Sequence, residues 1–423
     1  MLYLESFIHR VQFAEIVSRW MVNQAQPSDV QQLKTIVNFN SYVARMWVDH
    51  LAKTLLYGLY GKEPLCFPAK TKGRLKDFVV RHPLSTNPRI ESMLSRYRRF
   101  PEDFYRETPF DGMVYYTREA GEPVFLGTTR IKRFRRIAEK GSRRIVDFMF
   151  ERIRGHADDL AAERASRLGI SKDQLITPPK EMVEEFRHAE RRLIKSIKLR
   201  TIQSELPILS IPDVVGIKLI VEPDQYPRLL DLLTQDPATT MLEQEHHSGH
   251  YNATNLRVAY NLDKQRLLAH PPMGHSLAVL GHRGFDVAHV AEQYKEFVDT
   301  SEDHVLLEII VANFHEFLES EIGRSMHEDR VLEQRGNNNY RSPLATSIRY
   351  LMDYMLTLCL APGGFEVSDV PIKLWVRYMP DTIDRLIRDI YNVPSDSSFD
   401  FHSDSTLPLA LEATSAEQRT APN

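Results

Sequence analysis

Three short segments constrain this chain most. Residues 213–221 (DVVGIKLIV), 251–262 (YNATNLRVAYNL) and 304–311 (HVLLEIIV) have the length and β-branched content of strands, and Pro, Gly or polar residues bound each of them. Helical patterns lie between and after them, at about 226–234, 285–299, 313–334 and 343–360. Strands separated by helices must pair across the sequence. The spacing therefore predicts an α/β (α+β) domain, a mixed β-sheet flanked by helices, over 126–392. A further strand is predicted at 372–379 (IKLWVRYM).

Upstream, Leu4, Phe7, Ile8, Val11, Ile16 and Trp20, then Val43, Trp47, Leu51 and Leu55, recur at helical spacing and predict a mainly helical N-terminal region within 1–125. Residues 61–125 are rich in Pro, Gly and aromatics and are expected to form irregular connections with short helices rather than a sheet. Helices are predicted beyond Ser142 and over about 180–203. From 393 the composition turns to Ser, Asp, Thr, Ala and Pro, so 393–423 is expected to be a disordered tail.

Cys66 and Cys359 form no CxxC, which argues against a disulfide framework or a cysteine zinc site and fits a reducing setting. No apolar run reaches the roughly 20 residues that span a bilayer. The start MLYLESFIHR carries a glutamate where a signal peptide is apolar, so a cytoplasmic protein with no membrane partner is expected. The formal charge of −3 hides two basic stretches, 70–99 and 130–154, the second holding Glu139, Asp147 and Glu151 as its only acids. Polyanion binding, including nucleic acid, is one reading of them. A solvated helix face, or pairing with acids of the same chain, is the other.

Glu308 interrupts a strand face otherwise made of Leu306 and Ile310, and a carboxylate placed there needs a cation, a proton or a metal. Asp213 opens the first strand on the face of Val215, Ile217 and Leu219, and Gly216 leaves room for close backbone approach. A structural ion pair and a turn after Pro212 are the plain alternatives. On neighbouring strands the two carboxylates could hold Mg2+ in the oxygen-rich manner of phosphate chemistry. Tyr251, Asn255 and Arg257 share a polar face that suits a nucleotide, with tyrosine stacking on a base and Arg257 pairing with phosphate. His246, His247 and His250 lack a strict zinc spacing and read as a loop, while 271–275 (PPMGH) and Gly363-Gly364 read as turns.

The order of these pieces resembles the synthetase domain of the RelA/SpoT family. That pattern runs through a basic segment with Ser-Ile and a following Lys, then D-x-x-G-I-R, G-Y-x-S-x-H, E-I-Q-I-R and M-H-x-x-A-E. Here stand Lys195, Ser196, Ile197 and Lys198, then Asp213, Gly216, Ile217 and Lys218, then Tyr251 with Asn255 four residues on. Glu308 and Ile309 follow, then Phe314, His315 and Glu319, so the resemblance covers about 180–330. Asn255 replaces the family's histidine, and Ile310 and Ala312 replace its glutamine and arginine.

The resemblance implies a nucleotidyltransferase-like fold that uses Mg2+ to move pyrophosphate from ATP to the 3′-hydroxyl of a nucleotide or of an RNA 3′ end. Asp213 would coordinate Mg2+, and Glu308 would coordinate it or accept the hydroxyl proton. Tyr251 would stack on the acceptor base, and Lys195, Lys198 and Arg200, with Arg192 behind them, would lie near the donor phosphates. The departures leave the acceptor open. A catalytically inactive copy that binds nucleic acid or regulates is the alternative.

Overall fold

The computed structural model describes residues 2–199, 201, 208–249, 252–336, 342–362, 378–391 and 393. In chain order the elements are β1 (Leu2–Leu4), α1 (Arg10–Met21), α2 (Pro27–Tyr60), β2 (Leu65–Thr71), α3 (Lys72–Arg81), α4 (Pro88–Arg99), β3 (Pro109–Glu119), β4 (Glu122–Ile131), α5 (Phe134–Arg167) and α6 (Pro179–Lys198). There follow β5 (Leu209–Ile211), β6 (Val215–Ile220), α7 (Tyr226–Gln235), β7 (Thr239–His247), β8 (Ala253–Asn261), α8 (Lys264–Ala269), α9 (His275–His282), α10 (Val290–Asp299), β9 (His304–Ala312), α11 (Phe314–Ile322), α12 (His327–Gly336), α13 (Pro343–Leu358) and α14 (Met379–Ile390).

The chain is mixed α/β. Among the described residues one seven-stranded sheet runs in the order β2-β3-β4-β6-β9-β8-β7, and β1 pairs with β5 beside it. All neighbours in the large sheet are antiparallel except β6 and β9, which are parallel. Parallel neighbours need a crossover connection, and residues 221–303, containing α7 to α10, supply it. Ser6 ties the starts of these two strands together, because its hydroxyl donates to the Leu306 carbonyl at 2.6 Å and accepts from the Val215 amide at 3.2 Å.

The sheet is larger than the sequence predicts. Residues 61–125 hold β2, β3 and the start of β4 rather than irregular connections. Pro68 sits in β2, at the sheet edge where a missing N–H is tolerated. β3 and β4 form a hairpin whose turn places Ala120 at φ 49 and Gly121 at φ 90, the left-handed pair that suits the twist of a tight hairpin. β4 itself crosses residues 125 and 126, so the strands on either side of that position share one sheet. β7 also replaces the loop expected around His246 and His247, and Leu2–Leu4 is a strand rather than the start of a helix. Most of 372–379 lies outside the described residues, and Met379 opens α14. Apart from Val393, the expected tail also lies outside them.

Two cores cover the sheet. On one face Leu256, Val258, Tyr260, Leu307, Ile309, Ile217 and Leu219 pack with the apolar stripe of α2, where Trp47 stacks on Tyr260 at 5.8 Å between ring centroids. On the other face a second core joins Val114, Phe125 and Ile220 to α3, α4 and α11 through Leu75, Ile90, Phe314 and Phe317. That cover stops at the β4 side. Farther across the same face the strands carry polar groups.

Where β3 crosses β4 the backbones are very close, because a Cβ added at Gly112 would stand 1.9 Å from the Thr129 carbonyl oxygen. Gly112→Ala must push the two strands apart and is expected to lower stability by about 1–3 kcal/mol. A thermal melt with an unchanged midpoint would refute this. Among the described residues no helix is long and apolar enough to cross a membrane.

Candidate functional site

The sheet register assembles the polar face. Arg130 on β4 stands opposite Gly216 on β6, Gly216 opposite Glu308 on β9, Glu308 opposite Arg257 on β8, and Arg257 opposite Glu243 on β7. Directly paired residues point to the same face, so one row of charge crosses five strands. Gly216 is the gap in that row: its missing side chain leaves space between Arg130 and Glu308, and an added Cβ would meet the Glu308 carbonyl oxygen at 3.3 Å.

Asp213 stands in the turn between β5 and β6 rather than inside a strand. Its Oδ2 accepts hydrogen bonds from Lys132 Nζ at 2.6 Å and Lys140 Nζ at 2.5 Å, and Lys132 also donates to the Asp213 carbonyl at 2.7 Å. Lys132 ends the β4 run, where its own amide donates to the Val214 carbonyl at 2.7 Å, and Lys140 comes from the early turns of α5. Burial by itself would raise the Asp213 carboxyl, but the two lysine charges and their hydrogen bonds outweigh it and hold the group well below the usual carboxylate range. Burial first, then the charge of Arg130, push the Lys132 ammonium down to about 7.

Glu308 is in the opposite condition. Burial, and then the negative charge of Asp213, raise its carboxyl, against the weaker pull of Arg130, Lys132 and Lys140. Asn255 Nδ2 donates to Glu308 Oε1 at 3.0 Å. Arg257, although directly opposite, pairs instead with Glu5 at 2.6 Å and Glu243 at 3.7 Å. Two carboxyls within electrostatic reach of each other are thus pushed apart, Asp213 held ionised and Glu308 held toward its proton. Such a split is a mark of acid–base sites as well as of structural ion networks.

Of the residues singled out in the sequence, the structure brings together Asp213, Glu308, Asn255 and Arg257. Lys195 and Lys198 sit exposed in the last turns of α6. Arg164 on α5 pairs with Glu181 and Glu185 on α6, and Arg192 on α6 acts on His156 of α5, so the two helices run antiparallel. That alignment sets Lys195 and Lys198 roughly 15 Å along α5 from Lys140, at about 1.5 Å per residue. The cations that meet Asp213 are instead Lys132 and Lys140, with Arg130 nearby. Their membership in the basic stretch 130–154 was visible in the sequence, but their long-range partner was not. Arg200 and Tyr251 lie outside the described residues.

Metal-ligand chemistry can be tested on the oxygens present. Asp213 Oδ1 and Asn255 Oδ1 are buried with no hydrogen-bond partner, and Glu308 keeps a second oxygen beyond its bond to Asn255. Carboxylate and amide oxygens suit a hard cation that retains part of its water shell. Oxygens of this chemistry suit Mg2+, and Asp213 and Glu308 are the carboxylates that would hold it, while Lys132 and Lys140 already neutralise one Asp213 oxygen. Among the described residues no group of three or more His, Cys, Asp or Glu is arranged to hold a metal. His246 and His247 lie on β7, and His250 is outside the described residues.

In the basic stretch 70–99 Lys72 and Lys76 are buried, while its arginines are exposed. Lys72 meets Glu321 at 2.6 Å and Glu328 at 3.6 Å, Lys76 meets Glu328 at 3.4 Å, and Arg89 pairs with Glu319. Comparison of the chain with protein-family models, with curated proteins and with solved structures finds no match.

Proposed function

We propose that the chain is a Mg2+-dependent nucleotide pyrophosphotransferase of RelA/SpoT-like fold. The reaction would move pyrophosphate from ATP to the 3′-hydroxyl of a nucleotide or RNA acceptor. The observation that carries this reading is the parallel pairing of β6 with β9, which sets Gly216 opposite Glu308 and brings the charge of Asp213 to bear on Glu308.

In the step itself the acceptor 3′-oxygen bonds to the β-phosphorus of ATP, the bond from that phosphorus to the bridging oxygen on the α-phosphate breaks, and AMP leaves with the electron pair. The raised carboxyl of Glu308 is suited to take the hydroxyl proton, and its bond to Asn255 fixes its orientation. Arg130, Lys132 and Lys140 supply positive charge beside it for the transferring phosphates. Mg2+, held by Asp213 and Glu308, would neutralise charge that develops on the transferred group. The opening above Gly216 leaves space on the sheet floor for a substrate group.

The test uses ATP labelled in its β- and γ-phosphates, Mg2+, and GDP, GTP or deacylated tRNA as acceptor. Label should move to one acceptor class with wild type and not with Asp213→Ala. Absence of transfer to every acceptor, with the two proteins indistinguishable, refutes the reading. It then favours the alternative of an inactive copy, which the double lysine pairing of Asp213 also suits.

A further inference from the structure

Outside the two basic stretches, α6 carries a set of cations that faces out. Ala189, Leu193 and Ile197 are its buried residues, on the side packed against α5. Arg187, Arg191, Lys195 and Lys198 are exposed and stand at i, i+4, i+8 and i+11, on the opposite side of the helix. From 186 to 199 the only acid is Glu190. At the N-terminal end Glu184 meets Arg187 at 2.9 Å and Arg191 at 3.9 Å, exposed contacts that add little.

The partner helix is basic as well. Arg154 of α5 is exposed, and His156 is held below its ordinary value first by burial and then by the charges of Arg192 and Arg152. Like charges from both helices are therefore pooled along the middle of this hairpin. Such crowding is tolerated in water and is relieved by a polyanion.

We propose that the outer side of α6 is a ridge that binds the phosphate backbone of nucleic acid. The four cations span about 16 Å of helix axis, and one strand of a duplex presents a phosphate about every 3.4 Å. A linear row of charge of this length meets several successive phosphates at once. An interfacial membrane helix would need its apolar side free beside its cations, whereas Ala189, Leu193 and Ile197, on the apolar side of α6 along the length of the cation row, are already buried in the protein. The ridge stands or falls separately from the transfer reaction.

Fluorescence anisotropy with labelled tRNA and with a labelled duplex DNA, from about 50 to about 200 mM salt, tests it on the full-length protein. Wild type should bind at least one of them, with affinity falling steeply as salt rises. The variant R187Q/R191Q/K195Q/K198Q should bind at least tenfold more weakly at low salt. Its salt slope should be smaller by about 3–4, some 0.7–0.9 of a unit for each of the four phosphates that the variant leaves without its cation. An R385Q/R388Q control on α14, also exposed, should bind as wild type. The proposal is overturned if wild type binds neither nucleic acid, if it binds only acidic phospholipid vesicles, or if a folded quadruple variant matches wild type in affinity and slope.

Discussion

Glu308→Gln should slow pyrophosphate transfer by about 10²–10⁴-fold, the usual contribution of a positioned general base, and should leave the thermal midpoint nearly unchanged. The substitution keeps size and shape, and the amide oxygen of glutamine can still accept the Asn255 Nδ2 hydrogen bond that now ends on Glu308 Oε1 at 3.0 Å. What disappears is the ability to take a proton, together with the negative charge that Glu308 would offer to Mg2+. Because burial already disfavours the ionised form of Glu308, its neutral replacement should be tolerated by the fold. Loss of rate with little change in KM for ATP is the expected pattern. A variant that transfers label as fast as wild type would remove Glu308 from the chemistry. A variant that unfolds would instead mark Glu308 as part of a structural ion network.

Glu321→Ala should be among the most destabilising single changes, by about 3–5 kcal/mol, because it leaves buried cations without their counter-ion. Glu321 is 5% exposed and faces Lys72 at 2.6 Å and Lys218 at 3.7 Å. Lys218 also donates to Ser320 Oγ at 2.7 Å, and Lys72 continues the network to Glu328 at 3.6 Å. The measurement is the urea midpoint, and a shift of less than about 1 kcal/mol would show that the network carries little net stability.

The same pair predicts a pH dependence. Burial would raise the Glu321 carboxyl, but the charges of Lys72, Lys218 and Lys76 hold it far below its ordinary 4.5. A carboxyl lowered by folding stabilises above its unfolded value and loses that contribution as pH falls below it. Wild type should therefore lose stability more steeply below about pH 4.5 than Glu321→Gln does. Lys218 acts in the other region. Burial lowers it to about 8, so the unfolded chain holds this proton more tightly and stability rises as pH increases from 8 toward the ordinary lysine value.

Parts of this arrangement were legible before any coordinates. The apolar runs at 213–221, 251–262 and 304–311 each became a strand, β6, β8 and β9, because buried central strands carry a dense β-branched signal of their own. The strands β2, β3 and β4 escaped notice for a local reason. Prolines at positions 68, 109 and 123 and glycines at 112 and 127 read as breakers, yet they sit at an edge, at strand starts or where backbones approach closely. The lysines of α6 looked like companions of Asp213 because they precede it in the chain, and the geometry of the α5–α6 hairpin carries them away from it.

The sequence by itself determined the alternation of strands and helices from 213 onward and the place of Glu308 within a strand, because hydrophobic periodicity and residue type are local properties. Only the tertiary structure decided which charges meet. Lys132 reaches Asp213 across 81 residues and Lys72 reaches Glu321 across 249. Such pairings follow from strand register and helix packing. A row of basic residues in sequence carries no information about whether its side chains turn inward to buried acids or outward to solvent.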